Sequence, residues 1–153
     1  MARRVFLSYQ HTDQMKAKGL NLATYNKNIK MDMSMRHLLD PVNSHDPTYI
    51  SSKIREQIKG TSATIVLIGR DTANSEWVEK EIKWSLEKGN ALLGVRIDPN
   101  APLPDGLKEA GAEILDWDKP EDIHEFGPAV ERAIAATARA QNMPTNSAST
   151  CAR

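Results

Sequence analysis

The sequence predicts a three-layer α/β domain on a five-stranded parallel sheet with strand order 2-1-3-4-5. Strand-like and helix-like stretches alternate along the 153 residues, the pattern of right-handed crossovers between parallel strands. The run Ala63 to Gly69 (ATIVLIG) is short, unbroken and rich in β-branched residues, as expected of a strand covered on both faces. Asn28 to Met35 instead alternates strictly, Ile29, Met31, Met33 and Met35 against Lys30, Asp32 and Ser34. Period two with one polar face marks a strand near a sheet edge, which places the second strand outside the first. The crevice at the change of winding then lies between strands one and three.

Taken in order, Val5 to Tyr9 is the first strand, and the loop Ser8 to Asp13 follows with several hydrogen-bonding groups. That loop can hold a ribose or phosphate, or simply cap the next helix through Thr12 or Asp13. The helix Asp13 to Asn26 has Met15, Leu22 and Ala23 on its apolar side and is weakened by Gly19. The methionine stripe of the second strand reads as core packing rather than a soft-metal site. Arg36 to His45 is irregular, with Asp40-Pro41 and Asn43-Ser44 as turn signals; it is either a lid or a long connection. Asp46-Pro47 opens a helix in which Ile50, Ile54 and Ile58 repeat every fourth residue, and Gly60 ends it.

After the third strand, Gly69 to Asn74 is polar, and Ser75 caps a helix from Glu76 to Gly89. Asn90 to Asp98 is the fourth strand. Pro99, Pro102 and Pro104 break regular structure, Gly106 to Ala112 is a weak helical turn or two, and Glu113 to Trp117 is the last strand. A final helix starts at Pro120 and runs to about Gln141, with Gly127-Pro128 as a potential break. Residues 1–141 are expected to form one domain. Residues 142–153, polar and aperiodic, are expected to be a disordered tail.

Composition excludes several function classes. Twenty basic and twenty acidic side chains give a formal charge of zero, which argues against a nucleic-acid binder driven by a positive field. No apolar run reaches membrane-spanning length and no signal peptide precedes Arg3-Arg4, so a soluble cytoplasmic protein with no membrane partner is expected. The single Cys151 cannot form an internal disulfide. His11, His37, His45 and His124 have no ligand spacing, and neither CxxC nor HExxH occurs, so no metal site is expected.

The helix from Glu76 carries the chemistry. At about 100° per residue, Val78, Ile82, Ser85 and Gly89 fall on one face and should pack on the sheet. Glu76, Glu79, Lys80, Lys83 and Glu87 fall opposite, with the pairs Glu76–Lys80 and Glu79–Lys83 four apart. A third stripe, Trp77, Glu81 and Trp84, runs along the edge of the buried face. Glu81 is the one acid of this helix outside the solvent face. It is a candidate for chemistry, or a boundary glutamate whose stem covers apolar surface while its head reaches water.

Ser75-x-Trp77-x-x-x-Glu81, after a strand and a polar loop, resembles a helix signature of Toll/interleukin receptor (TIR) domains. Arg4 to Asp13 (RVFLSYQHTD) resembles that family's first strand and loop. The run GTSATIVLIGRDTANSEWVEKEI is most similar to the TIR-like proteins of bacterial Thoeris antiphage defence. The resemblance covers about the first hundred residues and departs from the common pattern at Gln10-His11-Thr12 and in the segment before Tyr49. It implies a flavodoxin-like, TIR-like fold and NAD as substrate, with no bound cofactor. It also implies Glu81 as catalytic residue, since the matching Glu cleaves NAD in the enzymatic members. A cyclic ADP-ribose-type product would signal to a separate effector protein, and self-association would use TIR-like surfaces.

The candidate NAD contacts are Ser8, Tyr9, His11 and Trp77. Tyr9 and Trp77 would offer flat apolar surface, Ser8 a hydroxyl, and His11 a hydrogen-bonding ring in the first loop. Rival activities fit poorly. A phosphoacceptor domain wants acids after strand one and an Asp ending strand three. A flavodoxin wants a Ser/Thr/Gly phosphate loop where SYQHTD stands. GxxxxGK[ST] and G-x-S-x-G are absent. What remains is an NAD-consuming enzyme or a non-catalytic TIR-like interaction module, and Glu81 discriminates them, because the module needs no acid in the crevice.

Overall fold

The computed structural model describes residues 3–10, 13, 15–16, 31–35, 47–117 and 126–142. Its elements are β1 (Arg3–Ser8), β2 (Met31–Met35), α1 (Pro47–Lys59), β3 (Ala63–Ile68), a 3₁₀ turn (Thr72–Asn74), α2 (Glu76–Lys88), β4 (Ala91–Arg96), α3 (Asp105–Ala110), β5 (Glu113–Asp116) and α4 (Phe126–Asn142). The strands form one sheet in the order β2-β1-β3-β4-β5, and every neighbouring pair is parallel. His11, most of the segment Asp13 to Asn26, the Arg36–His45 loop, the Pro120 helix start and the residues after Asn142 lie outside the described residues.

Alternation along the strands divides the core. Val5, Leu7 and Tyr9 join Ile65, Leu67, Leu93 and Val95 on one face, where Ala129 and Val130 of α4 cover them. On the opposite face Val66, Ile68 and Leu92 meet Val78 and Ile82 of α2 and Leu107 of α3. Phe6, on that same face, packs with Ile54 and Ile58 of α1. Ile65, Ile68, Ile82 and Leu93 are at most 1% exposed. Each such side chain contributes roughly 1.5–3 kcal/mol through its transfer from water, so the central strands anchor the fold.

Two sequence expectations need correction. Gly127-Pro128 does not break the last helix, which is continuous from Phe126 to Asn142 and so ends one residue past the expected domain boundary. Pro128 sits in the first turn, where its missing N–H has no intrahelical acceptor to lose. Glu79, expected on the solvent face, turns toward α3: its carboxylate accepts the N–H groups of Asp105 (3.1 Å) and Gly106 (3.2 Å). These are among the orphan donors of that short helix, whose cap, Pro104, makes no side-chain cap bond.

Candidate functional site

Helix α2 is fixed at both ends by local chemistry. Ser75 has extended backbone and its hydroxyl accepts the Val78 N–H at 3.3 Å. Gly89, at φ 91°, closes the helix in the left-handed region that side-chain-bearing residues rarely adopt. Between the caps Val78, Glu81, Ile82 and Ser85 are buried. The helix descends from the carboxyl end of β3 across the face that carries Phe6 and Val66.

Two buried polar contacts tie this face to the sheet. Ser8, the last residue of β1, donates its hydroxyl to Glu81 Oε1 at 2.5 Å, and both residues are 0% exposed. Deeper down, Ser85 donates to the Glu81 carbonyl at 2.7 Å and lies 2.6 Å from Thr64 Oγ1. The Asn90 amide reaches Thr61 Oγ1 at 3.0 Å and Thr64 Oγ1 at 3.3 Å. The boundary reading of Glu81 is thereby corrected: its head does not reach water but is held inside the α2–sheet interface. A carboxylate in such a place needs a donor, and Ser8 is one.

The other sequence-predicted residues are not all gathered there. Tyr9 follows Ser8 directly and so faces the opposite way; it is 1% exposed and packs in the core under α4. Trp77 is half-buried, packs with Phe6, Ile54 and Ile58, and has Lys80 Nζ 4.8 Å from its ring centre. Trp84 joins the same cluster under Arg55. The two indoles therefore seat α2 against α1. His11 lies outside the described residues. Of the predicted set, the structure brings together Ser8 and Glu81.

At the carboxyl ends of the strands Lys16 and Asp98, which sequence reasoning passed over, join residues of the two polar loops it read there, Ser8 to Asp13 and Gly69 to Asn74. A cleft of about 260 Å³ is lined by Asp13, Lys16, Gly69, Arg70, Asp71 and Asp98, among others. Gly69 donates its N–H to Thr72 Oγ1 at 2.8 Å. Burial pushes the Asp13 carboxyl above its usual range, with Lys16 opposing. The Asn100 backbone N–H and then Arg70, at 2.8 Å, hold Asp98 below its own. The glycine ending an apolar strand was the available signal, since it permits close approach of another segment. A larger groove, about 730 Å³, opens at the other end of the sheet beside Leu86, Ala112, Glu113 and Ala136. Ligands of open parallel sheets bind at the carboxyl ends, so size does not make that groove the site. Among the described residues no group of three or more His, Cys, Asp or Glu is placed to hold a metal ion. None of their helices is long and apolar enough to cross a membrane.

Comparison with known proteins bears on the family and the fold. The family model of the Thoeris protein ThsB, TIR-like domain, matches residues 6–102. A curated Bacillus cereus protein named "Putative cyclic ADP-D-ribose synthase ThsB1" is 31% identical over 122 residues, which are 76% of this chain and 63% of that protein. The chain thus spans less than two thirds of the length of that relative. Among solved structures, the TIR domain of a Toll-related receptor from Hydra magnipapillata superposes with a TM-score of 0.60 at 17% identity, covering 86% of this chain and 97% of that one. The flavoenzyme NAD(P)H:(acceptor) oxidoreductase FerB from Paracoccus denitrificans reaches 0.59 at 11% identity, covering 89% and 99%. A receptor domain and a flavoenzyme match almost equally well, so shape alone selects no activity.

Proposed function

The chain belongs to the Thoeris ThsB TIR-like domain family, and on that premise we propose that it cleaves the nicotinamide–ribose bond of NAD with Glu81 as catalytic carboxylate. The observation that carries the reading is the buried Glu81 side chain, held by Ser8 at the carboxyl end of β1. An acid enclosed against a sheet, at the crevice where such folds bind ligands, is a recurrent mark of a working site.

The chemistry asks little beyond that carboxylate. Nicotinamide departs as a neutral molecule from a cationic pyridinium, taking the bonding electron pair, so general-acid help is not required. The developing ribose oxocarbenium needs negative charge and hydroxyl anchoring close by, and Glu81 supplies both. Water adding to the ribose carbon yields ADP-ribose and a proton. An internal hydroxyl of the same molecule yields a cyclic isomer and a proton. The relative's name, a putative cyclic ADP-D-ribose synthase, supports the cyclic outcome, which would act in the cytoplasm as a diffusible signal to a separate effector protein. Glu81 is at 0% exposure, so its carboxylate has to become accessible before NAD can meet it.

The test is incubation of the purified chain with NAD and measurement of released nicotinamide, with Glu81→Gln as control. Full turnover by that variant would remove Glu81 from the mechanism. The second reading, a non-catalytic interaction module, has one observation in its favour: the Ser8–Glu81 contact also serves simply to fasten α2 to β1. No nicotinamide release under any condition would leave that reading standing.

A further inference from the structure

We infer that Ser8 is a positioning residue for the Glu81 carboxylate and makes no contact with substrate. The inference rests on the NAD-cleaving reading of Glu81 and deepens it.

A serine hydroxyl has one proton to donate, and here it goes to Glu81 Oε1 at 2.5 Å. Ser8 is as buried as Glu81, both at 0% exposure, so what marks it as a positioning residue is that its one proton is already committed to the carboxylate. Its place is fixed by the sheet: Ser8 is in register with Val66, and Phe6 with Thr64. The acceptor sits on a helix that is itself tied to β3, the neighbour of β1 in the sheet, because Thr64 Oγ1 lies 2.6 Å from Ser85 Oγ and Ser85 holds the Glu81 carbonyl. Donor and acceptor therefore stand on a strand and a helix that are joined through the same sheet. A glutamate side chain with three rotatable bonds is thereby held in one orientation, with one oxygen committed to Ser8 and the other directed elsewhere. Such fixing of a reacting group governs the rate of the chemical step more than the binding of substrate, and a displacement of 1 Å costs on the order of 100-fold.

The experiment compares steady-state nicotinamide release from NAD by the native chain, Ser8→Ala, Ser8→Thr, Thr61→Val and Glu81→Gln, with thermal melting of each. The expected result is a kcat lower by about 10- to 100-fold for Ser8→Ala, at a KM within twofold of native, and recovery of most of the rate by Ser8→Thr, which keeps the hydroxyl. Thr61→Val removes a buried hydroxyl that bonds the Ile58 carbonyl and the Asn90 amide and takes no part in holding Glu81, and is expected to lower Tm while leaving kcat in place. An unchanged kcat in Ser8→Ala overturns the inference, as does a raised KM at native kcat, the signature of a direct substrate contact. A faster Ser8→Ala overturns it too, by making the contact a latch. In each of these cases an inactive Glu81→Gln leaves the NAD-cleaving reading intact. A fully active Glu81→Gln, or a native chain that releases no nicotinamide, overturns both.

Discussion

The Asp13 carboxyl lies against the bare Cα of Gly69: a Cβ built on Gly69 would stand 2.4 Å from Asp13 Oδ2 and 2.8 Å from its Cγ. A side chain at Gly69 would therefore have to displace the Asp13 carboxyl. Gly69→Ala is expected to destabilise the protein by about 1–3 kcal/mol, the usual cost of overpacking. Asp13→Ala in the same chain should return much of that loss, because it removes the clashing atoms. Denaturant unfolding of the two single variants and the double variant measures the coupling; additive effects would mean that the two residues do not meet.

The same carboxyl makes a pH prediction. Burial is the largest cause acting on Asp13 and raises its pKa above 3.8, against lowering effects of Lys16 and Thr72. A raised folded value means that the folded protein keeps this proton where the unfolded chain has already lost it. Stability due to Asp13 therefore falls as pH rises from 3.8 through the raised value, and stays lower above it. Asp13→Asn carries no such charge, so it should melt higher than the native chain at pH 7 and lose that advantage below pH 3.8. Thermal melting of both across that range is the check, and an advantage that grows on acidification would reverse the sign and refute it.

Glu81→Gln separates chemistry from folding. Glutamine keeps the size of the side chain and an oxygen to accept from Ser8, so the melting temperature should change little. The negative charge that faces the oxocarbenium is gone, and nicotinamide release should drop by about 10²–10³-fold, as on removal of one electrostatic stabiliser. Parallel melting curves and turnover measurements decide whether loss of activity is loss of fold.

Legibility in the sequence followed the range of the interactions. The α/β alternation, the buried β3 run and the Ser75 and Gly89 ends of α2 were readable because propensity, capping and periodicity are local. The alternation of β1 also contained a signal that Ser8 and Tyr9 face opposite ways, yet grouping them by their loop put both in the site. Full enclosure of Glu81 was not readable, since Ser8 and Glu81 are 73 residues apart and the helical wheel places Glu81 only at the edge of the buried face. Glu79 escaped for the same reason: its partners, the Asp105 and Gly106 N–H groups, come from another helix, and the wheel showed only solvent.

Ser75 offers a test of how firmly that helix is seated. Its hydroxyl takes the Val78 N–H, and Ser75→Ala should cost about 0.5–2 kcal/mol. The cap lies more than one turn above Glu81, whose carbonyl and carboxylate are held by Ser85 and Ser8. Nicotinamide release by the folded fraction should therefore stay near native while the denaturation midpoint falls. A large loss of kcat at native stability would show that the cap itself sets the carboxylate.

Enclosure of Glu81 also bears on how activity would be switched on. A carboxylate at 0% exposure cannot meet NAD in the described conformation, so an isolated chain is expected to turn over slowly. Whatever opens the site must also exclude water during the reaction if cyclisation is to prevail over hydrolysis. The resemblance to TIR domains implies self-association, and an assembly requirement makes a direct prediction. Zero formal charge sets no repulsion against assembly. Specific activity should then rise with protein concentration, in step with particle size by light scattering, and the ratio of cyclic to linear product by mass spectrometry should rise with it. A flat activity per molecule from dilute monomer to the highest soluble concentration would dismiss the assembly requirement while leaving the role of Glu81 untouched, and linear ADP-ribose as sole product would dismiss the signalling role.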